Sequence, residues 1–159
     1  MEDNKLKNAK ILIIDDDVNL IDMLTIILNK YGHTVVAFTE PVSAIEELKN
    51  EKYDILLVNY LMTPVNGEKI VELVRQYDKE MYIILMSIHR DLSPSIEIMQ
   101  NLDIQAYFEK SSHFEQLIIL IQSGIKYIEK VNTAKNMKTK LEEYLLDFAK
   151  ILLGTIGAK

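Results

Sequence analysis

The chain has 159 residues, a formal net charge of −6 and no cysteine. Its 48% hydrophobic and 26% charged residues fit a globular protein and exclude wholesale disorder, and the lack of Cys excludes disulfide frameworks, zinc ribbons, iron–sulfur clusters and thiol catalysis. The charge divides into −9 over residues 1–124 and +3 over residues 125–159, so the body lacks the cationic face that nucleic acid contact requires.

Met1 to Lys10 is polar, with no apolar core of a signal peptide, and no run reaches the ~18 apolar residues of a membrane span. The expected location is the cytoplasm. Ile11 to Ile14 is a compact apolar run ending at Asp15-Asp16-Asp17, which predicts a buried strand. From Val18 to Tyr31, Leu20, Ile21, Leu24, Ile27 and Leu28 recur at helical spacing. Asp17 is placed to cap that helix and Gly32 to end it. Thr34 to Phe38 is a second strand. Pro41 opens a helix running to Asn50. Asp54 to Val58 is a third strand, followed by a polar loop with Pro64 and Asn66-Gly67. Glu68 to Tyr77 is a helix with Ile70, Val71 and Val74 inward. Met81 to Met86 is a fourth strand and Asp91 to Asn101 a weaker helix. Ile104 to Phe108 is a fifth strand, and a long helix opens near Ser112.

Five strand–helix units with continuously apolar strands predict a parallel sheet buried on both faces. The expected fold is α/β: a flavodoxin-like (βα)5 three-layer sandwich of strand order 2-1-3-4-5, with a C-terminal helical extension. The expected boundaries are 9–131 for the domain and 132–159 for the extension. In such a sheet, ligands gather outside the carboxyl ends of the strands where the order reverses. Those ends carry Asp15-Asp16, Asn59, Ser87 and Lys110.

The run Ile11-Leu-Ile-Ile-Asp-Asp-Asp17 resembles the first strand and acid pair of the receiver domains of two-component response regulators. Asn59-Tyr-Leu-Met-Thr-Pro-Val-Asn-Gly67 is similar to the family's phosphorylation loop, in which an Asp precedes a Met and then a Gly. Ser87 falls where the family places Thr or Ser, Lys110 at its signature lysine, and Tyr107 at its switch aromatic. The resemblance covers residues 9–130. It implies Asp15 and Asp16 as ligands of a divalent cation, usually Mg²⁺, which as a hard ion favours oxygen donors. It also implies a phosphoryl contact from Ser87, an inward swing of Tyr107, and an ion pair from Lys110 to Asp15 or Asp16.

The chain departs from the family at the phosphoacceptor. A carboxylate can attack phosphorus and form an acyl phosphate, whereas the neutral amide of Asn59 cannot at a useful rate. The missing charge also predicts Mg²⁺ binding that is weak or absent. Thr63 replaces the usual Pro, which has moved to Pro64. Ser111 replaces the Pro that usually follows the lysine, and without Pro a cis bond there would cost about 2.5–4 kcal/mol. His33, His89 and His113 lack metal spacing and read as surface or loop residues.

Two readings of Asn59 stand. One is a native pseudo-receiver that signals by binding. The other is an ordinary phosphoacceptor receiver, cut from a larger sensory protein, in which Asn replaces a native Asp. Either is a non-enzymatic module, partnered by a sensor histidine kinase or a downstream signalling protein. A nucleotide-binding flavodoxin-like alternative fails because the loop after the first strand is acidic and glycine-free and would repel phosphate. In the tail, Ala134, Met137, Leu141, Tyr144, Leu145, Phe148 and Ile151 mark an apolar stripe flanked by lysines. It supports packing on the body, a homodimer through helices, or a connector to another domain. The stripe is not a clean heptad, which argues against a long coiled coil.

Overall fold

The computed structural model describes residues 8–88, 91 and 93–157. His89 and residues 1–7 lie outside the described residues, as does part of the segment expected to open the fourth helix. The elements are β1 (Lys10–Ile14), α1 (Val18–Lys30), β2 (Thr34–Phe38), α2 (Pro41–Asn50), β3 (Ile55–Asn59), α3 (Gly67–Tyr77), β4 (Tyr82–Ser87), α4 (Ile96–Asn101), β5 (Ala106–Glu109) and α5 (Phe114–Gly157). All pairings are parallel and the strand order is β2-β1-β3-β4-β5.

Alternation along the strands divides the core. Leu12, Ile14, Leu56, Val58, Ile83 and Leu85 face Ala44 and Leu48 of α2 and Ile70, Val71 and Val74 of α3. Ile11, Ile13, Ile55, Leu57, Ile84 and Met86 are equally buried but lie outside that cluster, so the pleat turns them to the other face. There α1 contributes Leu24 and Leu28, and α5 contributes Leu117, Ile121 and Ile125. Gly124 lets α5 approach the sheet, since a Cβ there would meet the Tyr82 ring at 2.7 Å. Two compact units result, one ending at Ile125 and one running from Lys126.

The caps follow from local chemistry. Asp17 accepts from the Leu20 N–H at 3.1 Å, Ser95 from Ile98, and Asn66 from Lys69 at 2.9 Å. Gly32 ends α1 at φ 89°, a conformation that costs glycine little. Helix α4 begins at Ile96 rather than Asp91, because Ser95 supplies the cap while Ser93-Pro94 stays outside the helix. At its far end Asp103 adopts φ 48°. The guanidinium of Arg75 spans this turn, donating to the Leu102 carbonyl at 3.0 Å and the Asp103 carbonyl at 2.6 Å.

Gly67 opens α3 beneath the end of β3. A Cβ there would overlap the Asn59 carbonyl oxygen and stand 3.0 Å from the Tyr60 Cα. Both neighbours are backbone and cannot step aside. Gly67→Ala is expected to cost about 1–3 kcal/mol, by analogy with overpacked cores. A denaturant midpoint unchanged from the parent would refute the close approach.

His33 is a correction to the sequence reading. It lies in the loop between α1 and β2, as read, but it is buried and not at the surface, and its Nδ1 accepts from the Ala9 N–H at 3.3 Å. The partner lies far away in the chain, so spacing could not reveal it. Burial holds the imidazole below its ordinary 6.5. The unfolded chain therefore binds the proton first as pH falls. Stability is full above 6.5 and declines as pH drops from there toward the lowered native value. His33→Leu should flatten that part of the stability–pH curve. Identical slopes for parent and variant would show that His33 is not the source.

Candidate functional site

Three strand ends and the residue after β5 meet at the carboxyl edge of the sheet. Asp15 directly follows β1, and its N–H bonds the Phe38 carbonyl at 3.1 Å, so the ladder to β2 carries it inward. The carboxylate is fully buried. Its Oδ1 accepts from the Asp17 N–H at 3.0 Å, and its Oδ2 lies 2.6 Å from Lys110 Nζ. Burial pushes the Asp15 carboxyl above its ordinary value, opposed by Lys110 and the Asp17 N–H. Lys110 is itself largely buried. Its N–H donates to the Ser87 carbonyl at 2.8 Å, which positions its Cα beside the last residue of β4.

Asp16 turns outward and is exposed. Its Oδ1 accepts from Asn59 Nδ2 at 2.9 Å, and the same nitrogen donates to the Leu61 carbonyl at 3.0 Å. Both partners are pure acceptors, so the NH₂ side of the amide must face them. Asn59 is buried at the end of β3, and both its amide hydrogens are used. Leu61 was not foreseen from the sequence, because a main-chain carbonyl has no residue-type signature.

Ser87 is buried at the end of β4. Tyr107 lies on β5, three residues before Lys110, with its ring packed on the core. Its hydroxyl is buried, with no hydrogen-bond partner among the described residues. The sequence residues thus fall into a tight group of Asp15, Asp16, Asn59 and Lys110, with Ser87 joined through its main chain. Among the described residues, no contact places Tyr107 in that group. His113 is exposed ahead of α5. The Lys110–Ser111 bond is not cis; the cis bond among the described residues is Thr63–Pro64.

A divalent cation is the group such an acid pair suggests. The Asp16 carboxylate and the Leu61 carbonyl converge as hard donors should, but the point where they converge is filled by the Asn59 NH₂. A hydrogen-bearing nitrogen repels a cation. The second acid, Asp15, is already neutralised by Lys110. No group of three or more metal-ligating side chains occurs among the described residues. The residues as arranged do not fit a resident divalent ion.

Comparison with known proteins agrees with the topology. The profile of the response regulator receiver domain family matches residues 11–122. The chain is 29% identical over 118 residues to the phosphoglycerate transport system transcriptional regulatory protein PgtA of Salmonella typhimurium, a match covering 74% of this chain and 28% of that one. It is 33% identical over 81 residues to transcription factor SKN7 of Saccharomyces cerevisiae, covering 51% of this chain and 13% of that one. It therefore spans less than a third of either relative. Among solved structures, a CheY-like receiver domain protein from Methanospirillum hungatei superposes with TM-score 0.70 at 22% identity, covering 78% of this chain and 98% of that one. An adenylate cyclase structure from Rhodopirellula baltica superposes with TM-score 0.76 at 19% identity, covering 84% and 99%. At these identities the likeness is one of fold.

Proposed function

The chain belongs to the response regulator receiver domain family, and from that premise we propose that it is a non-enzymatic receiver module of a two-component phosphorelay. It acts through protein–protein contact and, with Asn59 in place of the acid, is not phosphorylated there. The observation that carries this reading is the Asn59 amide, neutral and committed to Asp16 and Leu61 at the position where a carboxylate nucleophile would have to stand. Asp15 and Asp16 are the metal-ligand positions, and Mg²⁺ binds weakly or not at all because the amide nitrogen blocks the approach. Ser87, Tyr107 and Lys110 are the switch and phosphoryl-contact positions.

A second reading is favoured by one feature. Lys110 remains paired with Asp15 and its N–H is bonded to the Ser87 carbonyl, which supports a site that has lost only its acid at residue 59. An active receiver whose native Asp is replaced by Asn59 would look the same. The partners are a sensor histidine kinase or a downstream signalling protein. Contact with nucleic acid is not assigned to this acidic body; in proteins such as the transcriptional regulators above, other parts of the chain would carry it. No helix among the described residues is long and apolar enough to cross a membrane, and a cytoplasmic location fits the reading. The receiver is assigned to residues 9–131 and the self-associating extension to 132–159.

The test is incubation with a small phosphodonor and Mg²⁺, read by intact mass. The chain as it stands is expected to remain unmodified. A stoichiometric phosphoryl adduct would overturn the proposal.

A further inference from the structure

Residues 126–157 are helical, and from Ala134 onward the apolar side chains are exposed. Met137, Leu141, Tyr144, Phe148 and Ile151 are 67%, 58%, 73%, 60% and 65% exposed. With Ala134 they alternate at spacings of three and four, filling consecutive a and d positions of a short heptad seam, and Leu145 is the stripe residue that falls outside it, at e. A lone helix that shows such a stripe to water is incomplete. The charge along the helix is polarised. Residues 126–140 carry five Lys and one Glu, while residues 141–157 carry one Lys and three acids. The first half is therefore net +4 and the second net −2.

We infer that this helix pairs with the same helix of a second copy, and that the two run antiparallel. The inference rests on the self-association assigned to the extension above and adds its geometry. A parallel pair would set the +4 halves side by side, whereas an antiparallel pair lays each on the −2 half of its partner. The heptad closes in the same register. Leu141 meets Tyr144, Met137 meets Phe148, and Ala134 meets Ile151, each layer occurring twice about the twofold axis. In that register Lys140 and Asp147 flank the seam from facing helices, so opposite charges meet at its edge. A parallel seam has no such pair, because its flanking positions place Lys140 beside Leu145 and Asp147 beside Leu152. The acids Glu142, Glu143 and Asp147 also disfavour an anionic lipid surface as the occupant.

The absence of native cysteine makes the test clean. Met137→Cys and Phe148→Cys, both at exposed positions, are prepared as separate full-length chains, mixed, and oxidised with copper–phenanthroline. Antiparallel pairing brings 137 of one copy against 148 of the other. Two copies of 137 would stand eleven residues apart along the axis, roughly 16 Å, beyond the ~7 Å reach of a disulfide. The mixture is expected to give several-fold more covalent dimer than either variant alone. Cross-linking of Met137→Cys by itself would establish a parallel pair and overturn the orientation. A dimeric mass by light scattering without cross-linking in any sample would place self-association elsewhere and overturn the seam. A monomeric mass at high concentration would sink both the seam and the self-association on which it rests.

Discussion

Asn59→Asp is expected to take up one phosphoryl group from a small phosphodonor, where the parent takes none. The substitution exchanges an amide for a carboxylate on the same skeleton at the end of β3. One carboxylate oxygen can then form a bond to phosphorus as the bond to the donor's leaving group breaks and that group departs with the electron pair, leaving an acyl phosphate. Lys110 and Ser87 need not be rebuilt, since the first is already anchored on Asp15 and the second ends β4. The exchange also inverts the local energetics. The amide's two donated hydrogen bonds, at 2.9 and 3.0 Å, become contacts between acceptors. Loss of these donors should destabilise the variant by about 1–3 kcal/mol, and carboxylate repulsion adds to the loss. A divalent cation relieves both effects, because three oxygens now converge where a nitrogen stood. Mg²⁺ should therefore raise the melting temperature of Asn59→Asp, by about 2.7 kcal/mol of added stability at a hundredfold excess over its dissociation constant, and leave the parent unmoved. A parent that Mg²⁺ stabilises equally would mean that the amide is no barrier. A variant that binds Mg²⁺ yet gains no adduct would mean that residue 59 is not the sole obstacle.

Most of the frame could be read from the chain because it rests on local rules. The apolar runs, Asp17 before Val18, Gly32 after the first helix and Pro41 at the start of the second each act within a few residues, and β1, α1, β2 and α2 lie where those signals put them. The parallel order followed from strands with no polar face. What could not be read is what depends on distance in the chain. Buried His33 takes its hydrogen bond from Ala9, twenty-four residues away. The turn after α4 is set by Arg75, more than twenty-five residues earlier. The start of α4 was misplaced for a local reason: Ser95, not Asp91, supplies the cap, so the helix begins at Ile96. At the site, side-chain identity pointed to four strand ends, but the direction of the Asn59 amide depends on the Leu61 carbonyl, which any residue type would supply. The extension shows the converse: its stripe was plain in the sequence, and the structure adds that the stripe is open along its length.

Lys110→Met is expected to be the most destabilising single change at the site. Methionine keeps much of the lysine stem's volume, so the loss isolates charge from packing. Asp15 is fully buried and its Oδ2 lies 2.6 Å from the ammonium. Removing one partner of a buried pair leaves the other uncompensated, at a cost of about 3–5 kcal/mol. The carboxyl can escape part of that cost by taking a proton, which gives the loss a definite pH dependence. Burial already holds Asp15 above its ordinary 3.8, and without Lys110 it rises further. A native group that binds its proton more tightly than the unfolded chain does loses stability as pH rises between the two values. The deficit of Lys110→Met should thus be small near pH 3.8 and grow with pH until it levels off above the raised native value. Adding Asp15→Asn removes the stranded charge and should recover most of the loss at neutral pH, giving strong coupling in a double-mutant cycle. A deficit independent of pH, or losses from the two substitutions that simply add, would mean that the lysine is held by its packing, with the pair contributing nothing of its own. In the first case Lys110 would not set the charge state of Asp15. In the coupled case the site keeps a buried charge whose cost is offset only while Lys110 is in place, and Asn59 spares it a third acid.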